Sequence, residues 1–188
     1  MDDHKRRILL MLNVATLIIF IIWVVFILTH PLPLSGKATS AISQRCGAYA
    51  LAIPEGASAS SIFVDNGFAY DAVYAIDGNT ETYWRGADQY PQWIAFSLGK
   101  LQCINGLEAF VNSASLPLTV DIHVSDDGDN WQTVVSGWQI SQSGYVYKDF
   151  DETIGGYVRI YQTAGADPQG TFGEIKIKKA DYTYFDRE

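Results

Sequence analysis

Histidine, cysteine and positive charge are all scarce in this chain, and each scarcity narrows what it can do. Its 3 histidines, His4, His30 and His123, are scattered along the sequence, an arrangement that makes no zinc site and serves no nucleophile. The 2 cysteines allow a single bridge at most. Lysine and arginine number 13 against 21 aspartates and glutamates, which leaves a net charge of −8 and a pI near 4.7. That balance argues against phosphate-rich partners such as nucleic acid and against docking on anionic lipid. Internal repeats and low-complexity blocks are absent. Asp126, Asp127 and Asp129 cluster, but on a hairpin turn, where Asp and Gly are favoured for backbone reasons. The sequence therefore predicts a chain that binds rather than one that catalyses.

What is present divides sharply in two, although the mean hydropathy of +0.02 conceals it. Residues 8–28 read ILLMLNVATLIIFIIWVVFIL, with no charge and only Asn13 and Thr16 as polar interruptions. As a helix this run spans about 31 Å, roughly the hydrocarbon thickness of a bilayer. Lys5, Arg6 and Arg7 precede it and only Lys37 follows closely, so the positive-inside rule places residues 1–7 in the cytoplasm. Pro31 and Pro33 stop the helix, because the residue before proline disfavours the α region. A cleaved signal peptide is the rival, yet the run exceeds a usual apolar core and no A-x-A-like site follows it closely. The expectation is a single transmembrane helix over residues 8–29, a linker over 30–41 and a domain over 42–180 in the periplasm or outside the cell. A tail follows over 181–188.

Beyond the linker the helical period gives way to a period of two. Leu118, Val120, Ile122 and Val124 alternate with Thr119, Asp121, His123 and Ser125, as a half-buried strand requires. Ile94, Phe96 and Leu98 repeat the pattern before Gly99, and Leu107, Ala109 and Val111 do so before Asn112. Val158 and Ile160 follow Gly155-Gly156, and Ile175 and Ile177 come near the end. Asp127-Gly128-Asp129-Asn130 turns the chain back into Trp131. Short strands separated by such turns predict an all-β sandwich or barrel, with no helix there longer than two turns. Cys46 and Cys103 lie on the non-cytoplasmic side, where a bridge persists. Pairing them would close a loop of about 57 residues and contribute roughly 4 kcal/mol; the alternative is two unpaired thiols.

The densest polar cluster is AIDGNTETYW over residues 75–84. Asp77, Asn79 and Thr82 offer oxygens at i, i+2 and i+5, and Gly78 permits the tight turn between them. Such a loop suits calcium before magnesium, although a simple Asx turn explains the same spacing. With this segment come PQWIAFSL (91–98), SDDGDNW (125–131), YVRI (157–160) and GEI (173–175). In that order they resemble the coagulation factor 5/8 type C, or discoidin, domain, and most of all its galactose-binding-like and family 32 carbohydrate-binding-module members. The resemblance runs from about residue 57 to 178 and implies a jelly-roll β-sandwich of about eight main strands.

The resemblance also implies sites. A structural calcium ion would be held by Asp77, Asn79, Thr82 and Glu174, with the carbonyls of Tyr74 and Gly173 completing the shell. Trp84, Trp93 and Trp131 fall at positions that fill the core in similar domains, and Arg159 at one that bridges strands. Ligand binding would use apical loops, where Arg85, Asn112 and Phe172 lie and where residues 61–68 and 165–171 form walls. Sugar binders of the family pair an aromatic platform with an arginine, a histidine and an asparagine. No histidine falls in these loops. Exposed apolar spikes ringed by basic residues, as membrane-binding members carry, are not convincing here either.

Two functions follow as expectations. In lipid, hydrophobicity alone gives residues 8–28 no reason to associate, so packing must use close contact and the polar Asn13 and Thr16, which share one helix face. On that basis the chain reads as an accessory or structural subunit of a larger membrane protein complex. The alternative is a surface-tethered, lectin-like carbohydrate binder.

Overall fold

In the computed structural model, residues 46–87, 89–112, 116–166 and 169–182 are described. The apolar run, its packing residues Asn13 and Thr16, the linker and residues 183–188 lie outside them. Among the described residues no helix is long and apolar enough to cross a membrane.

The alternating segments form ten strands: β1 (Ala50–Ala52), β2 (Gly56–Ala59), β3 (Val64–Asp65), β4 (Phe68–Ala69), β5 (Trp84–Arg85), β6 (Gln92–Val111), β7 (Leu118–Ser125), β8 (Gln132–Ile140), β9 (Gly144–Gly165) and β10 (Thr171–Asp181). The only helical element among the described residues is a 3-10 turn at Ala72–Ala75. The main strand order is β1-β10-β6-β9-β7-β8, with β2 added to β6 and β5 to β10, all antiparallel.

The two long strands organise the whole. The first half of β6, from Gln92 to Ser97, pairs with β2 and with Tyr157–Gln162 of β9. Its second half, from Gln102 to Val111, pairs with β10 and with the earlier half of β9. The alternation broken by Gly99 and by Gly155-Gly156 thus marks bends inside continuous strands, not strand ends. Gly99 has φ +74°, a conformation closed to most side chains. β6 and β9 thereby pass from one layer to the other, as strands at sandwich corners do. Between the layers lies an apolar core: Ile94, Phe96, Leu98, Val120, Ile122, Val158 and Ile160 meet Leu107, Ala109, Val111, Phe172, Ile175 and Ile177. Cys46 and Cys103 are joined by a disulfide with Cα atoms 5.8 Å apart, and Cys103 is fully buried.

The tryptophans divide, against the expectation that all three fill the core. Trp84 is 1% exposed, but Trp93 and Trp131 are only half-buried. Strand parity is the reason: Gln92 and Ile94 both point inward, so Trp93 between them faces out. There Trp93, Trp131 and Tyr161 surround the Arg159 guanidinium, whose carbon lies 4.3 Å from the Trp131 ring centre. Arg159 Nη2 is 2.8 Å from His123 Nδ1 on the neighbouring strand. Burial first, and the adjacent Arg159 charge second, lower the His123 pKa, which keeps the ring neutral and able to accept. Arg159 does bridge strands.

Candidate functional site

At one end of the sandwich the 3-10 turn leads into the loop 76–83. Asp77 accepts from Asn79 N at 2.9 Å and from the Thr82 hydroxyl at 2.7 Å, and Asn79 Oδ1 accepts from Glu81 N at 3.0 Å. These are the bonds of an Asx turn. One contact goes further. Glu174, on β10, accepts from Gly78 N at 2.9 Å through Oε2 while its Oε1 is buried without a partner. The residue is 2% exposed. Burial raises its pKa above the ordinary carboxylate value, the Gly78 N–H opposes that, and the Asp77 charge adds to it. Neighbouring Gly173 has no Cβ, and one placed there would lie 3.4 Å from the Thr82 carbonyl and 3.5 Å from that of Thr80.

This loop fits a hard cation. The buried Glu174 oxygen without a partner, the Asp77 carboxylate and the nearby carbonyls of Thr80 and Thr82 form an oxygen donor set that positive charge would satisfy. No group of three or more His, Cys, Asp or Glu converges among the described residues, so a cation here would depend on the Asp77 and Glu174 carboxylates together with amide, hydroxyl and backbone oxygens. Tyr74 lies within the 3-10 turn, and its ring leaves the cation loop to join a different cluster.

That cluster covers the same end of the molecule. Phe68 is T-shaped against Tyr70 at 5.0 Å and stacked on Tyr74 at 5.8 Å with planes 2° apart. Tyr70 stacks on Tyr83 at 5.1 Å and lies 6.0 Å from Phe63. The Arg85 guanidinium sits 4.6 Å over the Phe63 ring. The β3–β4 hairpin carries Phe68 outward through Asn66 (φ +49°) and Gly67 (φ +83°), the positive pair that a tight hairpin demands. Phe68 is 50% exposed, so one ring face is open to ligand while the others fix its orientation. Burial raises the Tyr83 hydroxyl pKa, a hydrogen bond to Tyr70 reinforces this, and Arg85 opposes it.

A buried amide holds these loops together. Gln92, 0% exposed, accepts from the hydroxyls of Ser60 at 2.7 Å and Ser61 at 2.6 Å. It donates to the carbonyls of Ala87 and Gln89 at 2.6 and 2.7 Å. Gly86 N in turn bonds the Gln169 carbonyl at 2.7 Å, tying in the loop 165–171. Trp84 Nε1 donates to Ser61 O at 3.0 Å.

The ligand residues expected from sequence are therefore only partly assembled. Arg85 is at the apex and half-buried. Asn112, exposed at the end of β6, lies across β10 from it, with Thr171 between. Phe172 is not a platform: it is 1% exposed and stacked on Trp84 at 6.3 Å, forming the floor beneath the site. The bulge between Phe172 and Glu174 explains the miss, since it shifts the outward face of β10 by one residue. Phe63, Phe68, Tyr70, Tyr74 and Tyr83 supply the rings instead. The apolar half of a membrane spike is also present, in exposed Ile62, Val64, Phe68 and Val73. Its basic ring is not: Asp65, Asp71 and Asp77 neighbour it in sequence, with Arg85 the one cation in the segment 46–87.

A two-layered sandwich with a ring-lined apex defines a β-sandwich binding module. The chain belongs to the F5/8 type C domain family, which it matches over residues 56–175. Among solved structures it is similar to CpGH89CBM32-5 from Clostridium perfringens, in complex with GalNAc-β-1,3-galactose (TM-score 0.61, 24% identity, 68% of this chain and 99% of that one). Two chitosan-binding modules of a chitosanase/glucanase from Paenibacillus sp. IK-5 are also similar. Module 1 is 29% identical over 67% of this chain and 96% of its own, with TM-score 0.59. Module 2, solved with chitotriose, is 28% identical over 67% and 97%, also with TM-score 0.59. No curated protein matches the chain closely enough to add to this.

Proposed function

We propose that the chain is a membrane-tethered, non-catalytic carbohydrate-binding module whose apical loops take a glycan outside the cytoplasm. The observation that carries this reading is the fixed row of rings at the apex, Phe63, Tyr70, Phe68 and Tyr74, with Arg85 over one end. Sugars present flat C–H faces to rings and hydroxyls to directed donors, and this apex offers both. Tyrosine hydroxyls and Arg85 are the directed polar groups here, since residues 46–87 contain no histidine. The likeness to chitosan-binding modules at 28% and 29% identity supports a glycan as the ligand.

Charge narrows the class. Residues 46–182 carry 17 aspartates and glutamates against 7 lysines and arginines, a field that repels uronate polymers and favours neutral or cationic sugars. A calcium ion held by Asp77, Asn79, Thr82 and Glu174, with the carbonyls of Tyr74 and Gly173, would fix the loop between Tyr74 and Tyr83 and so the spacing of two platform rings. Residues 8–28 would be the tether. The subunit reading rests on Asn13 and Thr16, outside the described residues, and no described feature favours it.

The test is calorimetric titration of the full chain in detergent with chitosan, N-acetylchitosan, galactan and polygalacturonate oligomers. Binding to a neutral or cationic oligomer, weakened about tenfold by Phe68→Ala, is the expected result. Failure of every oligomer to bind would sink the proposal, and so would binding to polygalacturonate alone.

A further inference from the structure

A second aromatic surface lies on a different part of the molecule, on the outward face of the layer containing β10, the later half of β6 and the earlier half of β9. Lys176, Glu108 and Tyr147 stand side by side across these three strands, as do Lys178, Gly106 and Asp149. Tyr145 and Tyr147 alternate onto this face roughly 7 Å apart along the strand, and are 47% and 63% exposed. Their rings are nonetheless held. Tyr145 packs edge-on against Phe110 at 5.2 Å with Lys176 Nζ 5.5 Å from its centre, and the Tyr147 hydroxyl hydrogen-bonds Glu108.

Two hollows share the Tyr147 ring as a common wall. One, of about 360 Å³, is lined by Trp138, Gln139, Gln142 and Tyr145 among others. The other, of about 420 Å³, is lined by Tyr49, Leu51, Asp149 and Lys178 among others. Over Gly106 the Asp149 side chain fills the space, its Oδ1 2.8 Å from where a Cβ would sit. The charges here cancel locally: Lys176 Nζ is 3.0 Å from Glu108, and Lys178 Nζ is 2.9 Å from Asp149. Lys148 Nζ, 5.9 Å from the Trp138 ring centre, and Glu152, beside Tyr49, add one charge of each sign, so on a strongly acidic protein this patch is close to neutral. Pre-set rings, amide side chains and paired charges are what an uncharged sugar chain requires, with stacking on its faces and hydrogen bonds to its hydroxyls.

We propose that the groove on either side of Tyr147 is a second carbohydrate subsite, which takes a neutral oligosaccharide strand independently of the apical loops. It goes beyond the apical site and shares with it only the class of ligand.

The test compares N-acetylchitohexaose, a galactan hexamer and their dimers on the full chain in detergent. The variants are Tyr147→Ala, Trp138→Ala and Tyr147→Phe, with Phe68→Ala alongside. Binding of a hexamer should weaken roughly tenfold in Tyr147→Ala and in Trp138→Ala, while Tyr147→Phe, which keeps the ring, holds the affinity. Phe68→Ala should leave this component in place. Hexamer binding sensitive to Phe68→Ala but indifferent to both groove variants overturns the second subsite and leaves the apical one. Loss only through Tyr147 and Trp138 does the reverse. If no hexamer binds, both fail. A concentration-dependent dimer that Tyr147→Ala dissociates, with no glycan effect, would reassign the groove to a contact between copies and overturn the proposal.

Discussion

Glu174 is the residue on which the apex turns. Its folded pKa is raised, first by burial, so the folded state holds a proton more tightly than the unfolded one. Its contribution to stability is therefore fully present below the unfolded value of about 4.5. That contribution is lost as pH rises through the folded value, above which an ionised, half-satisfied carboxylate destabilises the sandwich. A bound cation would reverse this by supplying the missing partner for Oε1. At a hundredfold excess over its dissociation constant, calcium should add about 2.7 kcal/mol, a rise in Tm of roughly 5–10 °C. Calorimetry at pH 7 with calcium or chelator checks it. The rise should shrink in acid as Glu174 protonates, and Glu174→Gln or Asp77→Ala should abolish it. A melting curve indifferent to chelator would leave only the Asx turn.

At the scale of elements, the apex depends on loops linked by direct bonds, such as Ala87 N to Ser61 Oγ at 2.9 Å and Phe63 N to Arg85 O at 2.8 Å, and by one buried side chain. Gln92 joins them with its four hydrogen bonds. Gln92→Ala should cost about 3 kcal/mol, because it strands buried polar groups and opens a cavity. Denaturant unfolding measures this, and glycan affinity should fall in the same variant although Gln92 touches no ligand. A variant of unchanged stability would show the loops to be self-supporting. These elements also show what the sequence displays and what it hides. Local signals were legible: the period-two runs of β6, β7 and β10, the turn at Asp127, and the Asx turn from Asp77. The hairpin at Asn66-Gly67 carried an equally local signal, flanked by Val64 and Phe68, and would have put Phe68 at the apex. Hidden were facts settled by long-range register. Trp93 is not among them: it is out of phase with Ile94, Phe96 and Leu98, so local parity already turns it outward. Phe172 was lost to a bulge, and Glu174 meets Gly78 across 96 residues of chain, a pairing that only the family resemblance supplied.

For the molecule as a whole, the acidic surface and the N-terminal apolar run place opposite demands on location. The first keeps the module away from anionic lipid, and the second would hold it within a linker's reach of a bilayer. A tether over residues 30–41 would reconcile them, because about a dozen flexible residues would let the module stand off the surface. Protease added to intact cells should then remove everything beyond Pro31 and spare a tag placed before Asp2. Digestion of the tag would invert the proposed orientation.

The disulfide decides how such a tether would transmit mechanical load. Without it, tension arriving at Cys46 would reach β1, three residues long and paired only to β10. Strands pulled from one end in this geometry unzip one pair at a time. With it, tension passes from Cys46 directly to Cys103, which pairs with Ala180 on one side and Ile154 on the other. The load then enters the middle of the sheet and must shear several rows of hydrogen bonds at once. A module that grips a polymer while anchored behind would feel just this kind of drag. In single-molecule pulling through the N-terminal side, the oxidised domain should rupture at higher force than Cys46→Ala/Cys103→Ala, and β1 should stay silent until the final event. Equal rupture forces would show that the bridge stabilises the fold without redirecting tension.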